Sequence, residues 1–176
     1  MCSGHVQGRL LKMLTSMVNP DRVLELGTFT GYSALCIAEA MRPGTELHTV
    51  EIDDELEDEL TELFESAGTP ARIMLHIGDA LETVPRIGGE WDMVYLDANK
   101  RHYTDYYEMV LPSLRSGGYI IADNTLWGDK VLEHPAPTDA QSRGIMAFND
   151  LVARDPRVET VMVPVRDGLT LIRKKS

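Results

Sequence analysis

The sequence predicts an α/β fold, a doubly wound and mostly parallel sheet that ends in an antiparallel hairpin. Three observations carry this. Five short strand-like runs alternate with segments of helical apolar spacing. The last two strand-like runs, Val158 to Pro164 and Leu169 to Arg173, flank a turn at Asp167-Gly168 with no helix between them. No internal repeat or low-complexity linker interrupts the 176 residues, so residues 1–176 read as one domain.

Each element has its own signal. Val6 to Val18 carries Leu10, Leu11, Leu14 and Met17 or Val18 at helical spacing and stops at Asn19-Pro20. Val23 to Leu26 is a buried-type strand closed by Gly27. Tyr32 to Met41 reads as a helix ended by Pro43-Gly44, and Leu47 to Ile52 as the second strand. Asp53 to Ala67 is a helix with Leu56, Leu60, Leu63, Phe64 and Ala67 on one face, ended by Gly68. Ile73 to Ile77 is a third strand, Ala80 to Val84 a short helix and Met93 to Leu96 a fourth strand. Tyr103 to Leu114 is a helix with Ser116-Gly117-Gly118 as its stop, followed by a fifth strand from Tyr119 to Ala122. Thr125 to Gln141 is a long loop with two prolines, and Ser142 to Ala153 a helix. Right-handed crossovers place such helices on both faces, and ligands bind at the carboxyl ends of the strands near the switch in strand order.

Composition narrows the function. No apolar run approaches the ~20 residues of a membrane span, so no membrane role is expected. The order Met1-Cys2-Ser3-Gly4-His5 is unlike a signal peptide. Cys2 and Cys36 alone make no disulfide framework, which points to the reducing cytoplasm. The net charge of −11 is local: ten of the 28 acids lie between Pro43 and Arg72, where there is no lysine or arginine, and the other 18 nearly balance 17 bases. Most of the ten fall opposite the Leu56–Leu60–Leu63 stripe and read as a solvated helix face. No broad basic footprint for nucleic acid is present. The five histidines share no metal-ligand spacing, and Cys36 reads as packing.

The first strand runs into Glu25-Leu26-Gly27-Thr28-Phe29-Thr30-Gly31, and Tyr32 and Ser33 open the following helix. Two glycines four apart allow a sharp turn and a close approach of backbone to ligand. Glu51 ends the second strand, where a carboxylate can accept both hydroxyls of a ribose. Asp79 follows the third strand, in position to accept from an adenine amino group. Together these describe an adenosine-containing ligand on a Rossmann-like sheet; the bland reading is a tight turn with no ligand. The pattern is not the dinucleotide one, since Phe29 takes the middle position. Bulky Phe29 and Tyr32 suit a ligand without phosphate, which favours S-adenosylmethionine over NAD.

The fourth strand ends in Leu96-Asp97-Ala98-Asn99-Lys100 and the fifth in Ile121-Ala122-Asp123-Asn124. Parallel neighbours would bring Asp97, Asp123 and Asn124 to one edge. Two carboxylates and an amide oxygen are hard ligands for Mg²⁺, Ca²⁺ or Mn²⁺. The same residues also read as a turn or cap and a solvated strand end. Lys100 stands where a lysine beside a cation can take a proton from an acceptor hydroxyl.

These residues resemble the cation-dependent class I O-methyltransferases, the catechol and caffeoyl-CoA type. The resemblance rests on Val23 to Ser33, Trp91 to Tyr107, Asp123 to Trp127, Ala147-Phe148-Asn149 and Asp167-Gly168-Leu169. It implies a seven-stranded sheet ending in an antiparallel hairpin and a homodimer. It implies Asp97, Asp123 and Asn124 as metal ligands and Lys100 as base, with Asp97 also near the cofactor. The candidate cofactor set is then Ser3, Glu25, Gly27, Phe29, Gly31, Tyr32, Ser33, Glu51, Ile52, Asp79, Ala80 and Asp97. Lys100, Asn124 and Trp127 are the candidates for contact with the acceptor, though Trp127 equally reads as cover for the core. The family motif often has a second acid where Asn99 stands, and members commonly carry further helices before the segment matching Met1 to Arg9.

The expected reaction is in-line methyl transfer from S-adenosylmethionine to a hydroxyl of a small catechol-like acceptor that chelates a divalent cation, most simply Mg²⁺. Two other readings stay open. Some relatives methylate a hydroxylated uridine in tRNA, for which Lys100-Arg101-His102 and the Arg143 region offer cations. The chain also reads as a cofactor-binding remnant without activity.

Overall fold

The computed structural model describes residues 4–134 and 137–176. Among the described residues, six α-helices and seven strands follow one another as α1 (His5–Val18), β1 (Arg22–Leu26), α2 (Tyr32–Ala38), β2 (Glu46–Glu51), α3 (Glu57–Ser66), β3 (Arg72–Ile77), α4 (Ala80–Ile87), β4 (Trp91–Leu96), α5 (Tyr103–Val110), β5 (Leu114–Asp123), α6 (Ala140–Arg154), β6 (Val158–Val163) and β7 (Leu169–Lys174). The strands form one sheet in the order β3-β2-β1-β4-β5-β7-β6. β1 to β5 pair in parallel, and β7 runs antiparallel to both β5 and β6. This is a Rossmann-like doubly wound sheet with the expected terminal hairpin. Strand order reverses between β1 and β4, so the switch point lies at the ends of those two strands.

Alternation along the strands divides the core in two. Val23, Met93, Tyr95 and Ile121 face α1 and α2, against Leu11, Ala34 and Ile37. Leu24, Val94, Leu96 and Ile120 face the other way, against Tyr103, Tyr107, Ile145 and Phe148 of α5 and α6. Phe148 meets the rings of Tyr103 and Tyr107 edge-on, at 5.3 and 6.0 Å between centroids. Such pairs add roughly 0.5–1.5 kcal/mol each beyond the area they bury.

Several boundaries differ from expectation. α2 stops at Ala38, not Met41, because Ala40 and Met41 bond back only three residues and the chain tightens. α5 stops at Val110, just before Leu111-Pro112, and β5 already begins at Leu114. The Ser116-Gly117-Gly118 signal is not a helix stop but an irregularity inside that strand, where the register jumps from Trp91↔Leu114 to Met93↔Tyr119. Gly118 permits it: a Cβ there would lie 2.9 Å from both Arg115 O and Asp92 O. α6 begins two residues early because Asp139 accepts from Ser142 N and Oγ at 3.0 and 2.7 Å. On α3, Leu60 is buried, Leu63 and Phe64 half-buried, and Ala67 exposed. The acids from Asp53 to Glu65 are exposed, and Asp53 caps the 3-10 turn Asp54–Leu56 that leads into α3 by accepting from Glu55 N. Among the described residues no helix is long and apolar enough to cross a membrane.

α6 presses its backbone onto the segment after β4. A Cβ on Gly144 would sit 2.3 Å from Lys100 O and 2.8 Å from Arg101 Cα. Gly144→Ala therefore forces main chain apart, and we expect a loss of about 1–3 kcal/mol in denaturant titration. An unchanged midpoint and slope in that titration would mean the helix is free to shift.

Candidate active site

The site grows from the Gly27–Gly31 turn. Gly27 has φ +96° and no room for a side chain, since a Cβ would fall 2.3 Å from Asp97 O. Gly31 has φ +74° and caps α2, and Phe29 is itself left-handed at φ +48°. Glu51 holds the turn in place. Its Oε2 accepts from Phe29 N at 2.7 Å, and its Oε1 from Ile52 N and Asp53 N at 2.9 and 3.0 Å. Three backbone donors leave room for one more hydrogen bond on that carboxylate.

Beneath the turn, Glu25 is fully buried. Thr49 donates to its Oε2 at 2.5 Å, and among the described residues Oε1 has no hydrogen-bond partner. Burial pushes Glu25 up to about 7, and the charges of Asp97 and Glu51 add to that. Asp79 caps α4 by accepting from Leu81 N at 2.8 Å. Ala80 is buried beside it, and Ile52 is 72% exposed at the end of β2. Ser3 lies outside the described residues.

Lys100 is the buried cation of the site. Its Nζ donates to Asp97 Oδ1 at 2.6 Å and lies 4.9 Å from the centre of the Tyr103 ring. Asn99 caps the short turn that carries Lys100, accepting from Arg101 N at 3.2 Å. Burial pushes Asp97 up to about 6; the Lys100 charge opposes this and the Asp123 charge reinforces it. A like charge nearby disfavours the ionised form of a buried carboxyl, and a positive charge beside it favours that form.

Asp123 and Asn124 leave the end of β5 together. Asp123 is 3% exposed; its Oδ1 accepts from Asn124 N at 2.7 Å and its Oδ2 from Tyr95 OH at 3.1 Å. Gln7 Nε2 also donates to that Oδ2. Asn124 is left-handed at φ +57°, a conformation asparagine tolerates better than most residues. Its Nδ2 donates to Asp167 Oδ2 at 3.2 Å, which leaves Oδ1 as the acceptor end. The donor set thus fits a hard cation in type: two carboxylates and an amide whose nitrogen is already engaged. Among the described residues, no three side chains of His, Cys, Asp and Glu are grouped to hold a metal, and the oxygen set here relies on the amide.

A cavity of about 330 Å³ opens at the switch point. It is lined by Gly27, Phe29, Tyr32 and Ser33 from the first turn, by Asp97 and Lys100, and by Asn124 and Trp127. Glu25, Gly31, Glu51, Asp79, Ala80, Asp123 and Ile52 lie outside that lining. Thr28, Thr30, Ala98, Asn99 and Gln141 line it without having been singled out. Trp127 packs on the core and also borders the cavity.

Sequence reasoning missed the supports. Tyr103 OH lies 2.9 Å from Asp123 O and 3.1 Å from Leu96 O, pinning the ends of β4 and β5 together. Burial drives that phenol well above its ordinary range. Asp167, read only as a turn residue, accepts from Asn124 Nδ2 and from Gly128 N. Gln7 and Tyr95 are separated from Asp123 by 116 and 28 positions, so no local signal could reveal them. His48 and His76, read as structural or surface, face each other at 3.0 Å away from the cavity.

The O-methyltransferase family profile matches residues 1–175. Caffeoyl-CoA O-methyltransferase 5 of Nicotiana tabacum is 32% identical over 96% of this chain and 75% of its own length. Tricin synthase 2 of Oryza sativa subsp. japonica is 34% identical over 99% of this chain and 63% of its own. The crystal structure of the O-methyltransferase TomG of Streptomyces achromogenes, involved in tomaymycin synthesis and in complex with SAM, superimposes with a TM-score of 0.92 at 29% identity, covering 99% of this chain and 82% of that one. The Bacillus cereus O-methyltransferase in complex with SAH gives 0.92 at 27%, covering 99% and 83%. With the family profile matching nearly the whole chain, the chain belongs to the O-methyltransferase family and is an S-adenosylmethionine-dependent enzyme of the caffeoyl-CoA, cation-dependent type.

Proposed function

We propose that the enzyme transfers the methyl group of S-adenosylmethionine to one hydroxyl of a small catechol-type acceptor, with the help of a divalent cation. The observation that carries this is the meeting of Lys100, Asp97 and Asn124 with the Gly27–Ser33 turn around one cavity. The turn side would take the adenosine and methionine moieties, with Glu51 offering its remaining acceptor capacity to the ribose. Asp97, Asp123 and Asn124 would hold the cation. When bound, such a cation acidifies and orients the oxygens it touches.

The chain's own residues then divide the work. Asp97 keeps Lys100 in place through Oδ1, and among the described residues nothing bonds its Oδ2. Lys100, buried at the cavity wall, would receive the proton of the reacting hydroxyl as a neutral amine, its own ammonium proton having passed to solvent beforehand, as a cation held beside Asp97 would favour. Trp127 borders the place where an aromatic ring would lie. Phe29 and Tyr32 line the cavity on the cofactor side, and positioning of the reactants by such a wall is worth several kcal/mol.

The test is methyl transfer to a panel of diphenols, monophenols and bulk tRNA, with and without EDTA. We expect turnover with vicinal diphenols, loss in excess EDTA and recovery with Mg²⁺. Full activity in EDTA sinks the cation role. Transfer to tRNA with none to diphenols replaces the acceptor.

A further inference from the structure

The ligand candidate Asp123 accepts from three donors, and two of them come from distant parts of the chain. Tyr95, fully buried on β4, donates to Oδ2 at 3.1 Å. Gln7, 4% exposed on α1, donates to the same oxygen and lies 3.1 Å from the Tyr95 hydroxyl. At the other end of the Gln7 amide, Arg166 Nη1 donates to Oε1 at 3.4 Å. On the opposite side, Asn124 N donates to Oδ1 at 2.7 Å.

The count of lone pairs decides what this leaves. A carboxylate offers about four acceptor positions. Two donors saturate Oδ2 and one occupies half of Oδ1, so a single lone pair on Oδ1 remains. The carboxylate cannot turn to present both oxygens without breaking two buried hydrogen bonds, at a cost of about 1–3 kcal/mol for each group left unpaired. We propose that Gln7 and Tyr95 are positioning residues that hold Asp123 as a one-oxygen ligand and thereby favour a small octahedral cation over Ca²⁺. Mg²⁺ and Mn²⁺ accept one oxygen per carboxylate at strict angles. Ca²⁺ is larger and gains from carboxylates that bind through both oxygens. The inference rests on the cation reading above and adds to it the residues that tune affinity and choice of ion. It also gives α1 a direct mechanical link to the site.

The experiment measures Mn²⁺ and Ca²⁺ dissociation constants for the full chain by calorimetry, with Mn²⁺ checked by its electron paramagnetic resonance signal. The variants are Tyr95→Phe, which keeps the buried ring, and Gln7→Met, which keeps the length. Each is expected to bind Mn²⁺ about tenfold more weakly, in the range found when partners of metal ligands are removed. Ca²⁺ affinity should change by less than about threefold, because a freed carboxylate can offer both oxygens. Because both act on one oxygen, the double variant should lose less than the product of the single losses. Either variant alone decides if the other does not fold. A purely structural role would lower the thermal midpoint and leave the ratio of the two ions unchanged; that result overturns the proposal. Asp123→Asn serves as the reference. If the parent binds no Mn²⁺, or binds it as well after Asp123→Asn, the cation reading itself falls and takes this inference with it. If the parent binds, Asp123→Asn does not, and both supports can be removed without effect, only the inference falls.

Discussion

Asp123→Asn lowers methyl transfer at least ~100-fold and abolishes its response to added Mg²⁺, while affinity for S-adenosylmethionine stays within about threefold of the parent's. The asparagine is the informative change. Its carbonyl can still accept from Tyr95 and Gln7, which meet Oδ2 in the parent, so the buried network keeps its acceptor. Its amide nitrogen then takes the place of Oδ1, which faces Asn124 N, and two donors meet where a donor met an acceptor. A cation would meet a nitrogen carrying hydrogens in place of a negative oxygen. Asp123→Ala makes the same point less cleanly, because it leaves the Tyr95 hydroxyl and the Gln7 amide without their shared acceptor and costs about 1–3 kcal/mol of stability for each. The cofactor should be nearly indifferent, since Asp123 stands apart from the cavity lining that Gly27, Phe29, Tyr32 and Ser33 supply. Initial rates across a Mg²⁺ series and calorimetry with S-adenosylmethionine check the two halves. A variant that still responds to Mg²⁺ in full would move the cation elsewhere.

Much of this site was legible because it is written at strand ends. A strand of known direction delivers the residue after it to a known edge, so Gly27, Glu51, Asp79, Asp97 and Asp123 could be placed once the sheet was read as parallel. The late hairpin was legible for the same reason, as a turn at Asp167-Gly168 with no room for a helix. Spacing was silent about the contacts that cross the fold. Asp167 closes the loop after β5 onto the β6–β7 turn, and a Cβ on Gly168 would meet Leu126 N at 2.8 Å, so that pair fixes how Asn124 leaves the strand. Gln7 looks like one more polar residue on an amphipathic helix until α1 is packed against β4. Leu114 to Gly118 misled because glycines that let a strand take extra residues look the same in one dimension as glycines that end a helix. Local rules report on neighbours in sequence; the supports of an active site are neighbours in space.

Lys100→Ala should reduce kcat by about 10²–10⁴-fold, the range of a lost general base, with the KM for S-adenosylmethionine nearly unchanged. The companion Lys100→Arg separates two roles that alanine alone would merge. Lys100 is bonded to Asp97 at 2.6 Å with its side chain 8% exposed. A charge buried there also serves to hold Asp97, and its removal leaves a carboxylate near Asp123 without its counter-charge. Arginine keeps that positive partner but cannot surrender its proton in a protein. If Lys100 receives the proton of the acceptor, arginine should be as slow as alanine in single-turnover transfer while its thermal midpoint lies closer to the parent's. If Lys100 is only an anchor for Asp97, arginine should restore most of the rate. Recovery in the arginine variant would therefore remove Lys100 as the base and leave it as the residue that sets the position of Asp97. Loss in both, with cation and cofactor affinities retained in the arginine variant, would place the proton transfer on its Nζ.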